Sequence, residues 1–341
     1  CGLMSNKKVT SLEVAKLAGV SQSAVSRVFT PGASSSKKTN ELVRKAATKL
    51  GYRPNILARS LITGKSRIIG LVVAYLDNYF YPEALELLSS ALQKRGYHVL
   101  IFMSGNKEGD IADAVDEILD YQVDGIIAAS VSMSSDLAKR CASAGVPVVL
   151  FNRTQDDERL SAVTSANVLG GQKVARFLLA GGHKRIGHIA GWEGASTQRD
   201  REKGFSDELT RNGQSLYARE IGNFNLDEAR QAARKMFTRK DFPDAVFVAN
   251  DAMAIVVMDV IRFELVLKIP EQVSVVGYDD VPVAKWLAYS LTTVRQPANR
   301  MVNETVSILI DSIENNSTKP RRIEIDGPLI LRGSAKILDN Y

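Results

Sequence analysis

The sequence has little cysteine. Cys1 and Cys141 are the two in 341 residues, which excludes a disulfide scaffold and points to a reducing compartment, the cytoplasm. No run approaches the about 18 consecutive apolar residues of a spanning helix, so contact with a membrane interior is not expected. The first residues lack the apolar core of roughly 7–15 residues that marks a secretory signal. Histidine is scarce too: His98, His183 and His188 show no metal-ligand spacing. His183 and His188 are separated by the start of a strand pattern and read as core or helix-end residues. With 45% hydrophobic and 24% charged residues, the composition is that of a globular chain long enough for two or three domains.

Acidic residues are nearly missing from one region. Residues 1–66 hold 12 Lys/Arg against only Glu13 and Glu41, a net of +10, while the remainder holds 32 Lys/Arg against 36 Asp/Glu, a net of −4. A small basic module is thus joined to a mildly acidic body. A basic face is often only a solvated one, but an excess this compact points to a polyanion. A membrane-surface helix would need broad Trp, Phe or Leu faces; this module has short apolar stripes and no Trp.

Three helical patterns fill the basic module. The first runs from about Ser11 to Ala18, with Leu12, Ala15 and Leu17 expected inward. After Gly19-Val20, Ser21 is a natural N-cap, because its hydroxyl can accept from a first-turn N–H. The second runs from about Gln22 to Phe29, with Ala24, Val25, Val28 and Phe29 on one face and Gln22, Ser23, Ser26 and Arg27 on the other. Thr30-Pro31-Gly32 stops it. The third runs from Lys37 to Leu50, with Leu42, Val43, Ala46, Ala47 and Leu50 inward. Two short helices with a tight Gly-containing turn, closed by a third, form a helix-turn-helix, whose second helix can enter a major groove. Arg27 suits bidentate donation to guanine, Gln22 can pair with adenine, and Ser21, Ser23 and Ser26 can reach bases or phosphates. Between Pro54-Asn55 and Gly64 lies an eight- or nine-residue helical pattern. It is too short to be stable alone and is a hinge candidate.

The runs Val14-Ala15-Lys16-Leu17-Ala18-Gly19-Val20-Ser21, Val25-Ser26-Arg27-Val28, Leu50-Gly51-Tyr52-Arg53-Pro54-Asn55 and Ala58-Arg59-Ser60-Leu61 resemble, in order and spacing, the lactose-repressor (LacI) family of bacterial transcription regulators. The match spans about residues 9–63. The resemblance implies that Gln22, Ser23 and Arg27 occupy base-reading positions and that Asn55 and Arg59 belong to the DNA-contacting hinge. It further implies that Leu61 is wedged into the minor groove, where it unstacks a base step and bends the duplex.

Beyond Arg67, short Val/Ile-rich runs alternate with amphipathic helical stretches. Strands are expected at Ile68–Ala74, His98–Met103, Gly125–Ser130, Pro147–Phe151, Arg185–Ala190, Ala245–Ala249, Ser274–Gly277 and Ile323–Ile325, which argues for parallel sheets covered on both faces. Roughly 270 residues exceed one comfortable core, so two α/β halves are expected. Ligands of such sheets bind beyond the carboxyl ends of the strands. Those positions carry the stretch Asp77 to Tyr81, Ser130, Asn152-Arg153, Ser196 through Arg201, Asn250-Asp251 and Tyr278-Asp279-Asp280. Carboxylates, amides and arginines beside Phe80, Tyr81 and Trp192 suit a polyhydroxylated ligand, whereas any one Asn, Asp or Ser there could simply cap the next helix.

The body also resembles the family's periplasmic-binding-protein-like core, through Phe151-Asn152-Arg153, Arg201-Glu202-Lys203-Gly204-Phe205, Val248-Ala249-Asn250-Asp251, Val275-Val276-Gly277-Tyr278-Asp279-Asp280 and Leu291-Thr292-Thr293-Val294-Arg295-Gln296-Pro297. The fold expected is therefore an all-α helix-turn-helix head plus an α/β core of two parallel-sheet subdomains. The head would cover 9–53, a hinge helix and linker 54–66, and an effector-binding and dimerisation core 67–341. The resemblance implies three crossings between halves, giving an N-subdomain of about 67–162 and 293–322 and a C-subdomain of about 163–292 and 323–337. It places Asn152, Arg153, Arg201, Asn250 and Asp279 on the effector cleft, to which Phe80, Tyr81 and Ser130 are added from their strand-end positions.

Enzyme readings find no support in the motifs. Thr63-Gly64-Lys65-Ser66 lacks the earlier glycine of a phosphate loop, with Arg59 in its place. No G-x-S-x-G elbow or dinucleotide fingerprint occurs, and Cys141 reads as helix packing. No cofactor and no metal are expected. The sequence thus reads as a ligand-responsive repressor, a homodimer on a pseudo-palindromic double-stranded DNA operator, controlled by a small effector that the resemblance makes a carbohydrate or derivative. No leucine heptads follow Leu338, so a dimer is expected rather than a tetramer. The rival readings are a solute-binding receptor with the same core, which the basic head disfavours, and an enzyme acting on nucleosides or sugars.

Overall fold

The computed structural model describes residues 9–30, 33–53, 64–74, 76–104, 108–131, 133–155, 158–315, 317 and 319–336. The chain divides into two compact units, 1–66 and 67–341. Asn55, Arg59 and Leu61, with the expected hinge helix, lie outside the described residues. No helix among the described residues is long and apolar enough to cross a membrane.

The first unit contains α1 (Ser11–Ala18), α2 (Gln22–Val28) and α3 (Lys37–Leu50). Each start is capped by a hydroxyl. Thr10 and Glu13 form a reciprocal capping box on α1, Ser21 Oγ accepts from the Ala24 N–H at 3.2 Å, and Ser36 Oγ accepts from the Thr39 N–H at 3.1 Å. α1 ends at Gly19, whose φ of 66° is the left-handed conformation that lets the chain turn into α2. The core is made of small residues: Val14, Ala15, Ala18, Val25, Val28, Val43, Ala46 and Ala47. The expectation that Leu12, Leu17 and Leu42 point inward is corrected, since they are 49%, 46% and 42% exposed. The buried stripe of α1 is Val14-Ala15-Ala18, because three short helices crossing closely leave room only for Val and Ala between their axes.

The second unit has two lobes. In the first, β1 (Ile68–Val73), β2 (His98–Met103), β3 (Gly125–Ala129), β4 (Val148–Phe151), β5 (Ser161–Ser165) and β11 (Arg322–Ile325) form a sheet in the order β11-β5-β4-β3-β1-β2, with every pairing parallel. Alternation within β1 separates its faces. Ile69, Leu71 and Val73 pack with residues of α4 (Phe80–Lys94) and α11 (Ala298–Asn315), while Val72 packs with residues of α5 (Glu108–Asp120) and α6 (Ser135–Ser143). Cys141 is buried in α6, and burial pushes its thiol up to about 11.

The second lobe has β6 (Ile186–Ala190), β7 (Ala218–Ile221), β8 (Ala245–Val248), β9 (Ser274–Asp279), β10 (Thr292–Arg295) and β12 (Leu329–Ile330), ordered β12-β10-β9-β8-β6-β7. All pairings are parallel except that of β12 on β10. Its helices are α7 (Asn167–Ala180), α8 (Ser196–Arg211), α9 (Leu226–Phe237) and α10 (Asp251–Asp259). His188 is fully buried on β6, stacked on Phe247, with Nδ1 against the Phe247 carbonyl at 2.9 Å. His183 sits beside Asp244 at 3.2 Å.

The chain crosses between lobes after Ser165, Arg295 and Ile325, a few residues later than the expected 162, 293 and 322. The strands stay hydrogen-bonded to their ends, Ile325 opposite Ser165 and Arg295 opposite Asp279, before the chain leaves either sheet. Strands β5, β7, β10 and β12 were not expected as strands. β5 reads Ser-Ala-Val-Thr-Ser and β7 Ala-Arg-Glu-Ile, too polar or too short to stand out.

α7 and α8 approach so closely that glycine is required. A Cβ on Gly204 would meet the Val168 carbonyl oxygen at 1.9 Å, and one on Gly171 the Arg201 carbonyl oxygen at 2.1 Å. Since backbone must move to make room, Gly204→Ala should destabilise the core by at least about 1–3 kcal/mol. A thermal melt within a degree of the wild type would contradict this packing.

Candidate effector crevice and nucleic-acid face

On the first unit, α2 presents one polar face. Ser21, Gln22, Ser23, Ser26 and Arg27 are all exposed, and Val25 and Val28 hold the opposite side in the core. Gln22 Nε2 donates to Ser11 Oγ at 2.9 Å, tying the start of α2 to α1. The Arg27 Nε lies 3.5 Å from the Ser23 carbonyl oxygen, so the guanidinium stays along the helix. Ser21 Oγ serves the cap and lies 2.9 Å from Ser23 Oγ.

In the second unit, the strand ends of both lobes converge on a crevice. Arg201, on α8, is 2% exposed. It donates from Nε to Asn167 Oδ1 at 2.9 Å and from Nη1 to the Ala249 carbonyl at 2.6 Å, with Nη2 3.5 Å from Asp279 Oδ1. Its guanidinium lies 3.7 Å from the centroid of the Tyr278 ring. Asp279, at the end of β9, also accepts from Gln296 Nε2 at 2.6 Å and from Asn78 Nδ2 at 3.2 Å. Burial raises the Asp279 carboxyl above the usual range, and Arg201 opposes that. Asp251 accepts from the Thr293 hydroxyl at 2.6 Å and from the Val281 N–H at 3.0 Å. Burial first, and then the neighbouring Asp279, push it up to about 7.

Among the described residues, direct hydrogen bonds run between the lobes. They include Asn78 to Asp279, the Thr154 N–H to Ser196 Oγ at 2.9 Å, and Ser165 Oγ with the Tyr278 hydroxyl at 3.1 Å. At the same junction the Arg153 guanidinium lies 5.5 Å from the Trp192 ring centroid. The Trp192 loop is held in shape. Gly194 has no side chain because a Cβ there would meet the indole at 2.3 Å, and Arg199 Nη1 donates to the Gly194 carbonyl at 3.1 Å.

The expected crevice residues fall into three groups. Arg201 is buried on α8, Asp279, Asn152 and Arg153 are buried at the strand ends, and Tyr81 joins them through its hydroxyl, which accepts from Asn152 Nδ2 at 3.1 Å. Ser130 and Asn152 are buried at φ of 64° and 65°, which turns both strand ends sharply. Asn250 instead caps α10, its Oδ1 accepting from the Met253 N–H at 3.0 Å. Phe80 belongs to the first lobe's core, stacked on Phe151 with ring centroids 6.2 Å apart. Asn78 lies within the expected stretch Asp77 to Tyr81, whereas sequence reasoning gave no individual role to Asn167, Thr293 or Gln296. Thr293 and Gln296 lie inside a run quoted as a motif whose strand, β10, was not recognised, and Asn167 carried no signal.

Only Trp192 and Trp286 can report by indole emission. In a Trp286→Phe background, Arg153→Ala should change the emission of Trp192, since it removes the cation above the ring. An unchanged spectrum would contradict the stacking.

Comparison with known proteins agrees with both units. Residues 10–55 match the family model described as "Bacterial regulatory proteins, lacI family", and residues 175–335 match the "Periplasmic binding protein-like domain". The chain is 31% identical to the HTH-type transcriptional regulator CelR of Thermobifida fusca, covering 97% of this chain and 100% of that protein. It is 30% identical to the HTH-type transcriptional repressor PurR of Vibrio vulnificus (strain CMCP6), covering 96% and 98%. Among solved structures, the lac repressor dimer bound to operator and the anti-inducer ONPF superposes with a TM-score of 0.87 at 27% identity, covering 96% of this chain and 99% of that one. A CelR–cellobiose complex superposes with a TM-score of 0.73 at 30% identity, covering 96% and 100%. The protein whose basic three-helix unit and two-lobed core are described above belongs to the lacI family of bacterial regulatory proteins.

Proposed function

We propose that this protein is a transcriptional repressor that grips an operator through α2 and releases or holds it according to a small effector bound between the core lobes. The observation that carries the reading is the pairing, in one chain, of an exposed Gln22-Ser23-Ser26-Arg27 face on a basic unit with a crevice whose polar residues connect two lobes. Arg27 reads a guanine, Gln22 an adenine, and Ser21, Ser23 and Ser26 take phosphates or bases. Residues 54–66 serve as the hinge, with Asn55 and Arg59 on the duplex and Leu61 as the minor-groove wedge. The solved relatives named above were captured with operator and anti-inducer, and with cellobiose, which supports a carbohydrate effector held by Arg201, Asp279, Asn152, Arg153, Tyr81 and Ser130. Asn250 and Phe80 support the crevice from behind. The crevice binds its ligand without transforming it, and the protein works in the cytoplasm beside its operator.

A dimer suits a pseudo-palindromic site. In its favour, Ile101 and Met103 are 53% and 54% exposed on the edge strand β2, and Phe263, Trp286 and Leu287 are 77%, 60% and 98% exposed on the second lobe. Apolar side chains this exposed mark a surface that another subunit covers.

The test is selection of a duplex from a random pool, followed by titration with and without candidate effectors. Arg27→Ala should lose specific binding by about 1–3 kcal/mol while nonspecific, salt-sensitive binding persists; unchanged preference for the selected duplex would remove the base-reading role. Arg201→Lys keeps the charge but loses the planar fork that reaches Asn167 and Ala249 together. It should abolish the effector response while operator binding continues, and a normal response would move the effector site elsewhere.

A further inference from the structure

A relay of polar side chains crosses the second lobe, and neither functional surface uses it. It starts at His188 on β6, which is fully enclosed, stacked on Phe247 of β8 and beside Phe205 of α8. A carbonyl oxygen only accepts, so the 2.9 Å approach of Nδ1 to the Phe247 carbonyl puts the ring proton on Nδ1. Nε2 is then a bare acceptor. Gln198 of α8, also fully buried, supplies the donor, its Nε2 lying 3.2 Å from His188 Nε2. The amide cannot be turned round, because its Oε1 accepts from the Gly191 N–H at 2.6 Å and its Nε2 donates to Glu202 Oε2 at 2.7 Å. Its two hydrogens and its oxygen are therefore committed to His188, Glu202 and the Gly191 backbone.

Beyond Glu202, Arg219 of β7 donates from Nε to Glu202 Oε1 at 2.6 Å and from Nη2 to Glu202 Oε2 at 2.9 Å. Nη2 also reaches Glu193 Oε1 at 2.8 Å. Gly191 and Glu193 flank Trp192, the residue that meets Arg153 of the first lobe. The relay thus holds the Trp192 loop at two points, a buried one through Gln198 and an exposed one through Arg219.

A proton on His188 Nε2 would break this pattern. The new N–H would face the Gln198 amide hydrogens, donor against donor. The amide could relieve that only by flipping, and the flip sets its NH2 against the Gly191 N–H. Either way the loop loses its buried acceptor. Among the described residues, the charged groups that face the ring are Glu202 of α8, 3.9 Å from Nε2, and Arg219 of β7, while β8 brings Phe247 and α8 also Phe205. Burial holds the imidazole neutral, well below its usual pKa. Glu202 pulls the other way, and Arg219 opposes the proton as burial does.

We propose that Gln198 is a positioning residue that ties the Trp192 loop, and through it a contact between the lobes, to the protonation state of His188, with Arg219 set to oppose the proton. The device needs no ligand, so it stands apart from the effector reading.

The experiment uses the full chain. In a long-range proton–nitrogen spectrum at neutral pH, assigned with His98→Gln and His183→Gln, His188 should be neutral with its proton on Nδ1. An imidazolium, or a neutral ring protonated on Nε2, overturns the proposal. In a Trp286→Phe background the Trp192 emission is then followed from about pH 8 to about pH 5, where it should stay constant. Arg219→Gln strips Glu202 of its guanidinium, so the carboxylate favours the imidazolium. Its emission change should move up into that window, by about 1 pH unit or more, and vanish when His188→Phe is added. A folded Arg219→Gln with a flat profile, or a change that survives His188→Phe, overturns the proposal. Gln198→Leu should alter the Trp192 emission at neutral pH, and a spectrum identical to its parent is equally fatal. Should these variants fail to fold, the histidine spectrum of the unaltered chain decides.

Discussion

The buried guanidinium of Arg201 organises the strand ends of the second lobe. Arg201 is too deeply enclosed to be hydrated, so its charge has to be met by protein. It is met from four directions: Asn167 at the start of α7, the backbone at the end of β8, Asp279 at the end of β9 and the Tyr278 ring. Those partners come from three places in the second lobe, α7 and the ends of β8 and β9, so the ion pair sets where the strand ends stand. It also demands the glycine contact between α7 and α8, because Arg201 reaches its partners only if α8 lies directly against α7. Removing one partner would leave a buried charge uncompensated, at about 3–5 kcal/mol.

From that anchor the network extends to the first lobe. Asp279 takes Asn78, and Tyr278 takes Ser165. These bonds are few, and the chain itself crosses between lobes only where β5, β10 and β11 end. The two sheets also share part of one apolar cluster, so a change in their relative orientation rearranges apolar as well as polar contacts. Regulation of this kind needs no more than a ligand whose free energy of binding differs between two such arrangements.

The small basic unit obeys different economics. Its core is built from Val and Ala, so local devices matter more than burial: the Thr10–Glu13 box, the Ser21 and Ser36 caps, and the left-handed Gly19 and Gly51. With so little interior, α2 can devote a whole face to polar side chains without losing its fold.

The sequence by itself determined the elements with strong local signals. The helix start at Ser21, the Val/Ile runs of β1, β3 and β8, and the polar positions after them follow from side-chain period and capping chemistry, which act over a few residues. Motif order also marked Arg201 and Asp279. Only the tertiary structure decided the rest, since it depends on neighbours distant along the chain. Leu12, Leu17 and Leu42 point outward because of how α1 to α3 cross. The polar β5 becomes a strand because β4 and β11 flank it. Asn250 turns out to cap a helix, and Gln296 is held by Asp279 seventeen residues away. Hydrogen-bond satisfaction is a property of the assembled interior, and no window of sequence contains it.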